Sequence, residues 1–314
     1  MLSFSHRSPP VAALEPNRLS RAVEVRRAAG LDLLDLRQSN PSHGFPQTWL
    51  DSLTFQGSHY HPSSFGLLST RTALSEHISC LFGGSIEAQD LLLGASTSEA
   101  YSLLFKLLCN AGDSVLAPSP SYPLLDALCR LESIELQEYP LFFEDRQWHI
   151  DFGQLEARLH PRCRAIVVIA PNNPTGSLPS RQECQRLAEL AHSHQLAIIA
   201  DEVFADFPIA PRHDAAPFPW ALHCPAPLCF SLGGLSKSAL LPQLKLAWTL
   251  VGGDPKVKHE AIERLEYIFD TYLSVSTPVQ LALPSILQRA SAQVEALRQR
   301  LRANELLLRR RSDP

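Results

Sequence analysis

Six short apolar runs, separated by stretches of helical periodicity, constrain this chain more than any other feature. They are LLLG ending at Gly94, SVLA from Ser114, AIVVIA from Ala165 to Ala170, LAIIA ending at Ala200, LCFSL ending at Leu232 and LAWTLVGG ending at Gly253. Strands buried on both faces of a parallel sheet read as short continuous runs of this kind. Between them the spacing predicts helices around Leu67–Leu81, Ser98–Cys109 and Leu124–Leu131, and a strand at Ile134–Glu138. Ser180 with Glu183 three residues on forms a capping box that opens another helix. The alternation predicts an α/β fold: a mostly parallel sheet in a three-layer α/β/α arrangement.

With 314 residues, 45% of them hydrophobic, the chain exceeds the size at which one core stops growing. One large domain and a smaller part are expected. Residues 1–45 read as an N-terminal arm and part of a small domain, with a helix around Ser20–Ala29 and the turn-rich SNPSHGFP. Residues 46–275 form the large domain. Residues 276–314 form a helical connection, its pattern running from about Pro278 to Arg311, with Arg309–Arg311 as a solvated helix end.

The net charge of −4 and the scatter of the 28 basic residues leave no stripe that could track phosphates, which argues against nucleic acid as a partner. Seven cysteines without a Cys-x-x-Cys pair suit a reducing compartment rather than a metal site. Proline, serine and charge break every apolar stretch near the amino terminus, so neither a signal-peptide core nor a spanning helix is read there. These features predict a cytoplasmic protein with no membrane association.

In open α/β sheets ligands sit beyond the carboxyl ends of the strands. The residues at those ends make a consistent set. LLLG leads into ASTSEA, where Ser96 and Glu99 have capping-box spacing and the amides of Thr97 and Ser98 would face an anion. AIVVIA leads into PNNPTG, whose asparagines expose side-chain amides. LAIIA leads into DEVF, which places the carboxylate of Asp201 at the same edge. LCFSL leads into GGLSKS, where two glycines would let the backbone approach a ligand just before Lys237. Singly, each has an ordinary explanation: capping boxes open many helices, a lone aspartate is more often a cap, and a lone lysine is normally solvated. Together at neighbouring strand ends they point to one site.

SPSYP at Ser119, PNNPTG at Pro171, ADEVF at Ala200 and SLGGLSKSALLPQLKLAW at Ser231 resemble the class I and II aminotransferases, enzymes of the pyridoxal-phosphate-dependent fold type I. The likeness runs from about Asp35 to Gln280. It implies pyridoxal 5'-phosphate as cofactor, amino acid and 2-oxo acid as substrates, and a homodimer. By that resemblance Lys237 would form a Schiff base with the cofactor and then move the substrate α-proton, and Asp201 would pair with the pyridinium nitrogen. Asn173 would bind the ring hydroxyl oxygen and Tyr122 would stack on the ring. Ser96, Thr97, Ser98 and Ser236 would hold the phosphate, and Tyr60 would reach the phosphate of the neighbouring subunit.

The sequence departs from the family pattern in four places. Lys245 stands eight positions after Lys237, where an arginine is usual; by the resemblance it would still bring a positive charge to the cofactor phosphate, but it cannot make the guanidinium's two-pronged contact. Phe204 replaces a tyrosine whose hydroxyl would reach the ring oxygen, and Gly234 replaces a phosphate-binding serine. The resemblance also implies a further small-domain segment bearing the arginine that grips the substrate carboxylate. No stretch here matches it, and Arg289, Arg298, Arg300 and Arg302 are expected on the solvated face of the last helix. The chain is therefore expected to lack that segment. β-Elimination, a cyclopropane-carboxylate synthase reaction, decarboxylation, or a non-catalytic cofactor-binding role remain open alternatives.

Overall fold

A computed structural model describes residues 5–9, 17–34, 40, 49–50, 60–208 and 213–312. The turn-rich segment at 39–46, and with it the expected boundary at residue 45, lies outside the described residues except for Asn40. So do the side chains of Arg309 and Arg311.

In chain order, α1 (Arg18–Ala28) and α2 (Leu68–Phe82) precede β1 (Leu91–Gly94), α3 (Thr97–Leu108), β2 (Ser114–Ser119) and α4 (Leu125–Leu131). A hairpin follows, β3 (Glu135–Glu144) and β4 (Gln147–Ile150), then α5 (Phe152–Glu156) and β5 (Cys163–Ile169). Next come α6 (Arg181–His194), β6 (Ala197–Asp201), α7 (Trp220–His223), β7 (Leu228–Gly234) and α8 (Leu235–Ser238). The chain continues with β8 (Ala247–Gly253), α9 (Pro255–Tyr272) and α10 (Thr277–Ser312). Among the described residues no helix is long and apolar enough to cross a membrane.

The strands form one sheet in the order β1-β8-β7-β6-β5-β2-β3-β4. The pairs β7–β6, β6–β5, β5–β2 and β2–β3 are parallel. One expectation needs correction: LAWTLVGG, read with the parallel runs, is β8 and pairs antiparallel with both β7 and β1. Burial on both faces makes a strand uniformly apolar whichever way it points, so composition did not carry its direction. The strand expected to end at Glu138 runs on to Glu144 and turns back through Asp145 and Arg146, both at positive φ, as a tight hairpin requires.

Strand side chains alternate between faces, and the alternation divides the core. Leu228, Phe230 and Leu232 of β7 and Ile199 of β6 pack with Tyr101, Leu104 and Phe105 of α3 and Leu265 of α9. Cys229, Ile198 and Ala200 face the other way, onto Leu187 and Ala191 of α6 and Trp220 of α7. The capping box at α6 is complete: Ser180 Oγ accepts from the amide of Glu183 at 3.0 Å, and Glu183 Oε2 accepts from the amide of Ser180 at 2.7 Å. Such a cap is worth about 1 kcal/mol.

α10 buries Leu283, Ile286, Leu287 and Ala290 against Leu74 and Ile78 of α2 and Leu91 and Leu93 of β1. Pro284 lies inside this helix and has no amide to give the carbonyl of Gln280 one turn earlier. Thr70 of α2 donates its hydroxyl to that carbonyl at 3.0 Å, which satisfies the orphaned acceptor and fastens the two helices. Further along, Leu306, Leu307 and Leu308 are exposed.

Candidate active site

β1 and β8 are antiparallel, as are β8 and β7, so β1 points the same way as β5, β6 and β7. Their carboxyl ends therefore share one edge, and the expected residues follow them directly: Ser96–Ser98 after β1, Tyr122 after β2, Asn173 after β5, Asp201 closing β6, and Ser236 and Lys237 in α8 just after β7.

Asp201 continues the face of Ile199 and turns its carboxylate toward α3. Its Oδ1 accepts from the amide of Val203 at 3.2 Å, and its Oδ2 accepts from the hydroxyl of Tyr101 at 3.0 Å. Burial pushes this carboxyl up to about 6, and the two hydrogen bonds work against the rise. The adjacent Glu202 takes the opposite face. It accepts from the amide of Trp220 at 2.6 Å and from Ser231 Oγ at 2.8 Å, and burial pushes it up to about 8.

Lys237 is half-buried, and desolvation lowers its ammonium below the usual lysine range. Its Nζ lies 5.3 Å from the centroid of the Phe204 ring, so the aromatic that replaces the expected tyrosine offers a π face in place of a hydroxyl. A lysine with a weakened hold on its proton is the form needed for nucleophilic attack on a carbonyl.

At the start of α3, Ser96 Oγ accepts from the amide of Glu99 at 3.1 Å. The reciprocal half of the expected capping box is absent, because Glu99 Oε2 accepts instead from the amide of Ala95 at 2.6 Å and from Ser274 Oγ at 2.7 Å. The amides of Thr97 and Ser98 have no acceptor among the described residues, and they head a helix whose dipole favours an anion.

Asn172 and Asn173 divide their work. Asn172 is buried and builds the turn, accepting from Thr175 at its amide and hydroxyl and donating to the carbonyl of Pro120 at 3.4 Å. Asn173 is half-buried, and its side-chain amide has no partner among the described residues. Tyr122 packs on the core beside Tyr101. The neighbouring hydroxyl of Ser121 is buried without a partner among the described residues.

Lys245 is exposed in a left-handed turn before β8. Tyr60 is also exposed and lines a small cavity with Ser63, Gln280 and Thr277, a lining that includes neither Asp201 nor Lys237. The glycine expectation is corrected: a Cβ on Gly233 would fall 2.5 Å from the indole of Trp248, so that glycine makes room for a protein ring and not for a ligand. The arginine expectation fails at one position. Arg289, Arg300 and Arg302 are exposed, whereas Arg298 turns inward to Asp206. Tyr101, Glu202 and Arg298 are the residues that strand-end reasoning missed. A buried tyrosine five residues after Ser96 reads as ordinary helix core.

This fold recurs in solved aminotransferase structures. The family profile described as aminotransferase class I and II matches residues 32–311, and the chain belongs to that family. It is 32% identical over 226 residues to glutamate-pyruvate aminotransferase AlaA of Escherichia coli K12, covering 71% of this chain and 54% of that protein. It is 33% identical over 241 residues to mouse tyrosine aminotransferase, covering 76% of this chain and 51% of that one. The chain thus spans about half the length of the curated relatives it matches. A crystal structure of an E. coli aminotransferase aligns at a TM-score of 0.70 and 29% identity, over 86% of this chain and 67% of that one. The alanine aminotransferase of Pyrococcus furiosus aligns at 0.77 and 23% identity, over 95% and 77%, and shows the shared fold.

Proposed function

We propose that this chain moves an amino group between an amino acid and a 2-oxo acid, using pyridoxal 5'-phosphate attached at Lys237. The observation that carries the reading is the pair at the ends of β6 and β7: a buried carboxylate with two donors at Asp201, and a desolvated amine at Lys237. The surroundings fit such a cofactor. Asn173, the amides of Thr97 and Ser98, and the hydroxyl of Ser121 are polar groups with no protein partner among the described residues.

Bound there, the cofactor would supply the electron sink for the charge left when the substrate loses its α-proton. The protein's own residues do the rest. Asp201 holds a negative charge in a dry setting where it favours a protonated ring nitrogen. Lys237 would hold the cofactor at Nζ and would carry the substrate α-proton. Asn173 would orient the ring oxygen, Tyr122 would cover a ring face, and Ser96, Thr97, Ser98 and Ser236 would hold the phosphate, with Lys245 adding charge. Tyr60, exposed at the surface, supports a homodimer in which it serves the neighbouring subunit's phosphate. The free cysteines support a cytoplasmic protein.

Borohydride reduction of protein loaded with pyridoxal phosphate should fix the cofactor on the peptide containing Lys237, and Lys237→Ala should fix none. A reduced cofactor on another lysine would sink the assignment. Incubation of loaded protein with amino acids should accumulate pyridoxamine phosphate. Elimination or decarboxylation without it would move the reaction to one of the alternatives.

A further inference from the structure

Tyr101 makes a contact that the proposed roles do not use. It is fully buried, and its only acceptor among the described residues is Asp201 Oδ2, itself on a residue 4% exposed. A carboxyl taken out of water tends to keep its proton, and a neutral acid has no charge to offer a pyridinium. A phenol that donates to the carboxylate favours the ionised form and fixes one oxygen in place.

Tyr139 supplies a contrast within the same fold. It is equally buried, but its hydroxyl donates to the backbone carbonyl of Val167 at 2.9 Å and not to a carboxylate. The position of Tyr101 is also particular. It follows the first-turn amides of Thr97 and Ser98 on the same helix, and its ring packs against Phe105 one turn further, with centroids 5.9 Å apart and planes tilted by 41°. One helix therefore carries both the anion-facing amides and the donor to Asp201.

We propose that Tyr101 is a positioning residue for cofactor binding, holding Asp201 ionised and in place to receive the protonated ring nitrogen while α3 presents its amides to the phosphate. This rests on the reading that pyridoxal phosphate binds at Lys237. Tyr101 touches neither substrate nor cofactor and acts through Asp201 alone. Its loss should therefore matter only while Asp201 can be charged.

The test is a double-mutant cycle on pyridoxal phosphate dissociation constants, measured by absorbance with the full chain. Tyr101→Phe should weaken binding roughly tenfold, the scale of one hydrogen bond to a charged group. In an Asp201→Asn background the same change should leave the constant within about twofold. Tyr139→Phe should lower the melting temperature and leave affinity alone. Unchanged affinity in Tyr101→Phe, or an equal loss in both backgrounds, would overturn the proposal. If Tyr101→Phe does not fold, a fluorinated tyrosine placed at 101 alone keeps the ring and strengthens the donor. It should tighten binding, and no change would overturn the proposal equally. Failure of the wild-type chain to take up the cofactor would instead strike the underlying reading, a result distinct from any of these.

Discussion

Arg298 donates twice to Asp206, from Nε to its carbonyl at 2.7 Å and from a terminal nitrogen to Oδ1 at 2.9 Å. The guanidinium also lies 6.0 Å from the Phe207 ring, and Phe207 packs with Leu240 and Val294. α10 is thereby tied to the segment after Asp201 and, through Leu240, to the turn after Lys237.

Arg298→Ala should lower unfolding free energy by about 2 kcal/mol, because Asp206 stays buried with its partner gone. The arginine is partly exposed, which keeps the cost below that of a fully buried pair. Arg298→Lys should recover only part, since an ammonium cannot span a carbonyl and a carboxylate with one fork. Urea unfolding measures both. Full recovery by lysine would show that charge alone matters there.

Asp201→Ala and Lys245→Ala should fail differently. Loss of the carboxylate should slow α-proton removal in single turnover by at least about a hundredfold while the cofactor still attaches to Lys237. Loss of Lys245, an exposed charge whose proposed partner is the unreacting phosphate, should weaken cofactor affinity and leave the single-turnover rate of loaded protein nearly unchanged. If both variants lost only affinity, the role given to Asp201 would be wrong.

Glu202 predicts how stability depends on pH. Burial raises its carboxyl from an ordinary 4.5 to about 8, so the folded state holds a proton that the unfolded chain releases. That contribution is fully present below pH 4.5 and is lost as pH rises through about 8. Asp201 adds a similar loss between 3.8 and about 6. Cofactor-free protein should therefore lose stability from pH 5 to pH 8, by on the order of 2 kcal/mol after allowing for relaxation around the buried group. Glu202→Gln keeps an acceptor for Trp220 and Ser231 and should flatten the slope above pH 6. Equal slopes in both proteins, read from unfolding at several pH values, would refute the titration.

Gly233→Ala should cost about 2 kcal/mol or more, because its Cβ would meet the indole of Trp248 at 2.5 Å within a packed sheet. A combined Gly233→Ala, Trp248→Ala variant should be less unstable than the two single losses added together. Strict additivity in chemical unfolding would show that the ring is not the obstacle.

Strand ends were the legible part of this protein. Buried strands announce themselves as apolar runs, and the polar residues within a few positions of each run's end are delivered to the edge, which is how Asp201, Asn173 and Lys237 are placed there. What escaped depends on pairings between distant elements. Tyr101 and Asp201 are 100 positions apart, and Arg298 and Asp206 are 92 apart. Helix periodicity reports only that Tyr101 is inside and not what its hydroxyl meets. The hairpin at Asp145–Arg146 escaped because it lacks the glycine that marks most such turns. The glycines of β7 misled because a small residue reads alike whether it admits a ligand or a neighbouring ring.

The reversed strand β8 also bears on the order in which the chain can assemble. Among the described strands β1 pairs with β8 alone, Leu91 opposite Leu250, so an edge made early in synthesis waits for a partner made much later. Closing a loop of that length carries an entropic cost before any contact repays it, and such non-local pairings form late. A nascent chain that has emerged through Lys237 already holds the lysine and the carboxylate, yet its first strand has nothing to register against. The helix start that faces the anion would thus be the last part of the site to become fixed.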